Sequence, residues 1–197
     1  MSRPISLDGF EAVFRGDPDP WRTFSARDEA LKRQAILHAL GTRVRGRVLE
    51  LGAGNGSNSR DLARRALRLD ATDGAPAAVR LIAERLEPLP GARALQLALP
   101  APLPQARYDA VVIAELLYYL PAHAMAQTSR DVVAALGTSG RLVLAHHHIQ
   151  FHDFAQRAVG IHARFLRASG RSWRIRPFAM TRRWTVIAAE RIHAEQS

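Results

Sequence analysis

Arg47-Val48-Leu49-Glu50-Leu51-Gly52-Ala53-Gly54-Asn55-Gly56-Ser57 joins an apolar run, an acidic residue and three glycines at alternate positions. The apolar run predicts a strand buried on both faces, and the amphipathic segment Asn58 to Ala66 predicts a helix directly after it. Glycine at 52, 54 and 56 permits positive φ and lets the backbone pass close to a ligand with no Cβ in the way. The free N–H groups of the following helix suit a carboxylate or a phosphate above the turn. A dinucleotide site has the spacing Gly-x-Gly-x-x-Gly, whereas this chain has Gly-x-Gly-x-Gly with Glu50 two residues upstream. An acid in that place argues for a ligand with a cationic end.

Nineteen residues after Gly54, the segment Ala66 to Asp73 predicts a second strand ending in a carboxylate. A carboxylate there can accept both ribose hydroxyls of a nucleoside. Glu50 to Gly56, taken with Asp73-Gly74-Ala75-Pro76, resembles the first two motifs of the S-adenosylmethionine-dependent methyltransferases with a Rossmann-like sheet. The resemblance implies S-adenosyl-L-methionine as cofactor and S-adenosyl-L-homocysteine as product, held by Glu50, Gly52, Ala53, Gly54, Gly56, Asp73 and Gly74. It also implies one α/β domain: a seven-stranded, mostly parallel sheet in the order 3-2-1-4-5-7-6, its last strand antiparallel, with helices on both faces. On this reading residues 1–42 form an N-terminal helical cap and 43–197 the cofactor-binding core.

A chain of 197 residues with 47% hydrophobic content suits a single globular domain with a sizeable core. No apolar run is long enough to span a membrane, and Met1 to Ile5 lacks the apolar core of a secretory signal, so a cytoplasmic location is expected. The absence of cysteine excludes a disulfide framework, a thiol nucleophile and a cysteine zinc site. A net charge of +10 and a pI near 11.4 raise the possibility of a nucleic-acid partner. The arginines, however, are scattered along the chain, and Lys32 is the only lysine, a pattern of coding bias rather than of an RNA-binding arm. The expected partner is therefore a small-molecule acceptor, with the protein a monomer or homodimer.

Before the glycine motif, Ser6 can cap a helix carrying Phe10, Val13 and Phe14 on one face, with Gly16 ending it. Asp17-Pro18-Asp19-Pro20-Trp21 is then a rigid turn. Ser25 with Asp28 forms the pattern of a capping box for a second helix that runs to Leu40 and stops at Gly41. Both helices are expected over the carboxyl ends of the strands, where open α/β sheets bind ligands. Phe14, Asp19-Pro20-Trp21 and Glu29-Ala30-Leu31-Lys32 resemble the N-terminal signature of the nodulation protein S family of methyltransferases. In that family this segment closes over the cofactor, which makes Trp21, Lys32 and Arg33 candidates for the methionine end or the acceptor pocket. A buried staple at Trp21 and a solvated charge at Lys32 are the structural alternatives.

Downstream, Pro76 opens a helix carrying Val79, Leu81, Ile82 and Leu86. Ala94 to Leu99 and Tyr108 to Ala114 read as the third and fourth strands. Many methyltransferases place an aspartate after the third strand for the adenine amino group; here Ala98-Leu99-Pro100 stands instead, leaving backbone and apolar packing at Ala98 and Leu99 for that task. Glu115-Leu116-Leu117-Tyr118-Tyr119-Leu120 also resembles the family, and its position puts Glu115 and one tyrosine, Tyr118 or Tyr119, beside the transferred methyl. Glu115 can orient an amine acceptor or merely bond backbone N–H groups.

Gly140 to His148 reads as the fifth strand, a helix runs through Arg167, and Ser172 to Arg176 and Trp184 to Ala189 read as a closing hairpin. His146, His147, His148 and His152 invite a metal. Successive strand residues alternate sides, so no metal is expected. The family resemblance instead implies acceptor-side roles for His146 and for His162, since imidazole can take the proton released on methylation. His146 is the nominated base, with Glu115 orienting the acceptor, Tyr118 beside it and His162 as alternative base. Nodulation protein S resemblance implies N-methylation of an amino sugar or deacetylated glycoconjugate. O-methylation of a small molecule is the nearest alternative, and a basic RNA-contacting module without turnover is a remote one.

Overall fold

The computed structural model describes residues 4–43 and 45–192. Seven strands form one sheet: β1 Arg45–Leu51, β2 Ala66–Asp73, β3 Ala92–Gln96, β4 Tyr108–Ala114, β5 Leu136–His147, β6 Trp173–Met180 and β7 Trp184–Arg191. Their order is β3-β2-β1-β4-β5-β7-β6, with β7 antiparallel to both neighbours and every other pairing parallel. This is the expected order, with the expected antiparallel last strand.

The central strands are apolar on both sides because both sides are covered. Val48, Leu69, Ala71, Val112, Val143 and Val186 face α2 (Arg27–Leu40), α3 (Ser59–Ala63) and α4 (Pro76–Leu86). Leu49, Leu51, Val111, Ile113, Leu142 and Leu144 face α5 (Ala122–Ala135) and α6 (Ile161–Ala168). α1 (Leu7–Gly16) is capped by Ser6 and packs Phe14 against Ala75, Ala77 and Ala78 at the start of α4. Among the described residues, no helix is long and apolar enough to cross a membrane.

Four local expectations change. The helix expected over Asn58 to Ala66 is only the single turn of α3, because the glycine turn takes up chain before it and β2 must start at Ala66 to pair with Arg45. The capping box at Ser25 and Asp28 does not form: Arg22 stands at φ +54, the Ser25 and Ala26 N–H groups both bond the Arg22 carbonyl, and α2 starts at Arg27. β3 runs two residues ahead of the expected strand, its register fixed by Arg93 opposite Asp70, so Ala98 and Leu99 follow the strand rather than close it. Finally, only the first turns of α2, with Glu29 and Lys32, reach the strand ends. Its remainder buries Ala35, Ile36, Ala39 and Leu40 along the sheet face, with α1 and residues 17–25 at the ends of the strands.

Candidate active site

The loop after β1 turns on Gly52, Gly54 and Gly56 at φ +67, +58 and +76, the left-handed region that glycine enters without cost. A Cβ at Gly52 would stand 3.0 Å from the Leu116 side chain, so the turn after β4 has room only against a glycine. The Asp73 carboxylate closes the cradle from β2, accepting from Gly54 N–H at 2.9 Å and Ala75 N–H at 3.0 Å. Burial raises its pKa against the pull of those backbone bonds. Each oxygen still has a free lone pair, enough for two hydroxyl donors. Gly74 and Ala98 face one another across this edge, the Ala98 Cα lying 3.5 Å from where a Gly74 Cβ would be.

Glu50 is 1% exposed at the end of β1 and accepts from Ser59 Oγ at 2.5 Å. Burial pushes its pKa up to about 7, Ser59 and Asn58 opposing and Asp73 adding to the rise. Its Oε1 has no partner, and neither does the buried Nε of Arg33 on α2. A buried acceptor and a buried donor left open are what the α-ammonium and carboxylate of a methionine end would satisfy.

Residues 17–25 are latched to the glycine loop. Asn55 Nδ2 donates to the Pro18 carbonyl at 3.1 Å and to Asp19 Oδ1 at 3.0 Å, while Thr23 donates to the same carboxylate oxygen through N–H and Oγ. Arg33 holds the Thr23 carbonyl at 2.7 Å, and the Arg85 guanidinium lies 3.9 Å above the Phe24 ring. Trp21 is 45% exposed and packs edge-on against Phe14 at 5.3 Å, so it is neither a buried staple nor free.

A second cluster sits at the carboxyl ends of β4 and β5. Glu115 stands at φ +53, a conformation costly for a residue with a Cβ and common at functional sites. Its N–H bonds the Ala145 carbonyl at 2.9 Å, and its carboxylate receives Lys32 Nζ and the Tyr118 hydroxyl. Lys32 is 4% exposed and also bonds Glu29 at 2.8 Å. Burial alone would lower its pKa, but the two carboxylates outweigh that and raise it. Lys32 is thus a buried ion-pair partner of Glu115. Tyr118 stacks on Phe154 at 3.9 Å, while Tyr119 meets Phe10 edge-on at 4.9 Å. Burial and Glu115 together raise the Tyr118 pKa well above the ordinary phenol range.

The histidines separate. His146 is 1% exposed, and its Nε2 accepts the Leu116 and Leu117 N–H groups at 3.2 and 3.1 Å. The proton must then be on Nδ1, which faces His162 Nε2 at 3.0 Å. Burial, with His162 beside it, drives the His146 pKa well below normal, and burial pushes His162 down to about 4. Both ring nitrogens of His146 are therefore committed within the protein. His147, on the opposite face of β5, is the ring that sequence reasoning passed over. Its Nε2 lies 3.6 Å from Glu115 Oε2, and Tyr118, Phe151 and Phe154 surround it. Burial lowers its pKa and Glu115 opposes this. Strand parity already set His147 on the face opposite His146; the packing of α2 on that face is what brings it to the side of Lys32. His148 turns away to Thr185 Oγ at 2.8 Å, and among the described residues no three metal-ligating side chains converge.

The family model for a methyltransferase domain matches residues 48–140, which run from within β1, through the glycine loop and α5, into β5. No curated protein matches the chain. Among solved structures, the N-methyltransferase NodS from Bradyrhizobium japonicum WM9 in complex with S-adenosyl-L-homocysteine superposes with a TM-score of 0.80. It is 19% identical, over 95% of this chain and 98% of that one. A protein from Pseudomonas syringae, described as a candidate methyltransferase, is 28% identical over 83% of this chain and 98% of its own, with a TM-score of 0.71. The complex of DhpI with S-adenosyl-L-homocysteine gives 0.76 at 19% identity, over 94% of each chain.

Proposed function

We propose, from the premise that this chain is an S-adenosylmethionine-dependent methyltransferase with a Rossmann-like fold, that it N-methylates a small-molecule amine. The observation that carries the reading is the charge balance at the end of β4. Glu115 and Glu29 together set two carboxylates against the single Lys32 ammonium, so the cluster keeps a net negative charge that suits a cationic acceptor. Phe10, Tyr119 and Phe151 pack in a chain of ring contacts through the buried Phe154, which itself stacks on Tyr118, and aromatic rings of this kind suit a sugar ring or an alkylammonium group. NodS, an N-methyltransferase, shares the fold, and an amino sugar or deacetylated glycoconjugate is the acceptor class which that resemblance implies.

Glu50, Arg33, Asp73 and the glycine loop are the residues that would hold the cofactor: Glu50 and Arg33 the methionine end, Asp73 the ribose, Gly74 and Ala98 the adenine edge. When bound, S-adenosylmethionine supplies an electrophilic methyl group on a sulfonium sulfur. The chain's own tasks are to position the acceptor and to move one proton. Glu115 orients the acceptor ammonium, its carboxylate aimed by Lys32 and the Tyr118 hydroxyl. His147, neutral at pH 7, takes the proton on its imidazole, and Glu115, 3.6 Å from Nε2, stabilises the imidazolium that results. His146 is a positioning residue: it holds the Leu116 and Leu117 amides, and so the strained turn that presents Glu115. Fixed orientation of the acceptor supplies most of the acceleration.

The test is incubation of the purified chain with S-adenosylmethionine and a panel of primary and secondary amines, amino sugars included, against matched alcohols and carboxylic acids. Mass gain of one methyl that survives base hydrolysis, confined to the amines, is expected. A base-labile product, or transfer only to the oxygen acceptors, overturns the N-methyl reading.

A further inference from the structure

At the opposite end of the sheet, away from the cluster around Glu115, the last two turns of α5, the turn between α6 and β6 and the end of β7 line an open groove of about 450 Å³. Arg130, Arg171, Arg191 and Ser169 line it with Val133 and Ala134, and no carboxylate occurs among these described residues. Arg191 is held in place by an Nη2 bond to the Leu136 carbonyl at 2.8 Å, while its Nε is buried without a partner. The Ser169 wall is equally fixed, since its hydroxyl donates to Leu166 O at 2.5 Å and accepts from Trp173 Nε1 at 2.9 Å. Among the described residues no acid pairs with these three guanidinium groups, and an unsatisfied buried donor costs about 1–3 kcal/mol. An anion with several acceptor oxygens relieves both, and guanidinium recognises phosphate well.

We propose that this groove binds a phosphate group, free or carried on a small molecule. Its size fits a small ligand. An extended nucleic acid fits it poorly. Two other arginines at this end of the sheet are answered by acids, Arg93 by Asp70 at 2.6 Å and Arg141 by Glu190. The groove also lacks an exposed aromatic ring for a base to stack on.

The experiment titrates the full chain with inorganic phosphate and, separately, with glycerol 3-phosphate. Calorimetry and the Nε–Hε NMR signals of the arginines are the readouts, with S-adenosyl-L-homocysteine titrated into the same samples. Saturable binding that shifts the Arg191 Nε–Hε signal is expected. Arg171→Gln and Arg130→Gln should each weaken it roughly tenfold, the loss of one charge-assisted bond, with S-adenosyl-L-homocysteine affinity unchanged. Both variants alter exposed side chains, so neither depends on Arg191 tolerating replacement. Tighter binding of glycerol 3-phosphate than of phosphate marks the ligand as a phosphomonoester; the reverse marks the free ion. Non-saturating binding, or equal affinity in both variants and the parent, overturns the proposal. So does a ten-nucleotide single strand that displaces phosphate and is weakened equally by Arg68→Gln at the far edge of the sheet.

Discussion

Asp73 has two tasks that the chain makes one residue perform. It ties the glycine loop through Gly54 and Ala75, and it leaves lone pairs open for hydroxyl donors. Asp73→Ala should weaken S-adenosyl-L-homocysteine binding by about tenfold or more with the fold retained, read by calorimetry and circular dichroism; unchanged affinity refutes the ribose assignment. Glu50 makes a prediction about pH. Its carboxyl titrates near 7 in the fold against 4.5 normally, so the folded state retains the proton between those values. The stability it contributes is whole below about pH 4.5 and is lost as pH rises through 7, on the order of 3 kcal/mol. Denaturant unfolding at pH 5 and pH 8 should show that loss in the parent chain and not in Glu50→Gln; parallel pH profiles would remove the claim. The two neighbouring histidines should part company. His147→Asn should lower kcat by roughly a hundredfold with cofactor affinity intact. His146→Ala, by contrast, should cost about 1–3 kcal/mol of stability by stranding two buried amides. If His146→Ala instead abolishes turnover in a chain of full stability, the base is His146.

Elements meet at the glycine loop through one side chain. Asn55 joins residues 17–25 to the turn after β1, and its amide nitrogen is the donor for Pro18, Asp19 and Thr23 alike. Asn55→Ala releases that segment without touching Glu50 or Asp73. The expected outcome is S-adenosyl-L-homocysteine dissociation faster by about tenfold in stopped flow, with little change in association. Equal dissociation rates would show that the segment does not gate the cofactor. The same junction explains why Ser25 fails as a cap. Arg22 in its left-handed conformation already supplies the carbonyl that Ser25 and Ala26 bond, so the turn satisfies the first amides before α2 begins.

At the level of the whole molecule, the first forty residues divide in two. α1 and residues 17–25 touch the ends of the sheet, whereas α2 seals the face of β4, β5 and β7 with Ile36, Ala39 and Leu40, all fully buried. A chain beginning at Ala26 should fold and lose cofactor binding. One beginning at Arg43 should fail to fold, because that face of the sheet would be bare. Proteolysis and circular dichroism of the two truncations decide it, and a stable fold without α2 would make residues 1–42 a true cap. The glycine loop and the acids Glu50 and Asp73 were legible in the sequence because each is written locally, in a glycine spacing or a strand end, whereas the strand order followed from the family resemblance those motifs carry. Which histidine has both ring nitrogens enclosed was not, since His146 and His147 are one residue apart and only the pairing of β5 with β4 and the packing of α2 and α6 decide it. Lys32 reads either as a residue of the cofactor or acceptor pocket or as a solvated helix charge, and only tertiary packing sets it against Glu115, 83 positions away. The scattered arginines became a groove only where α5, α6 and the hairpin meet, because long-range charge clusters have no sequence period.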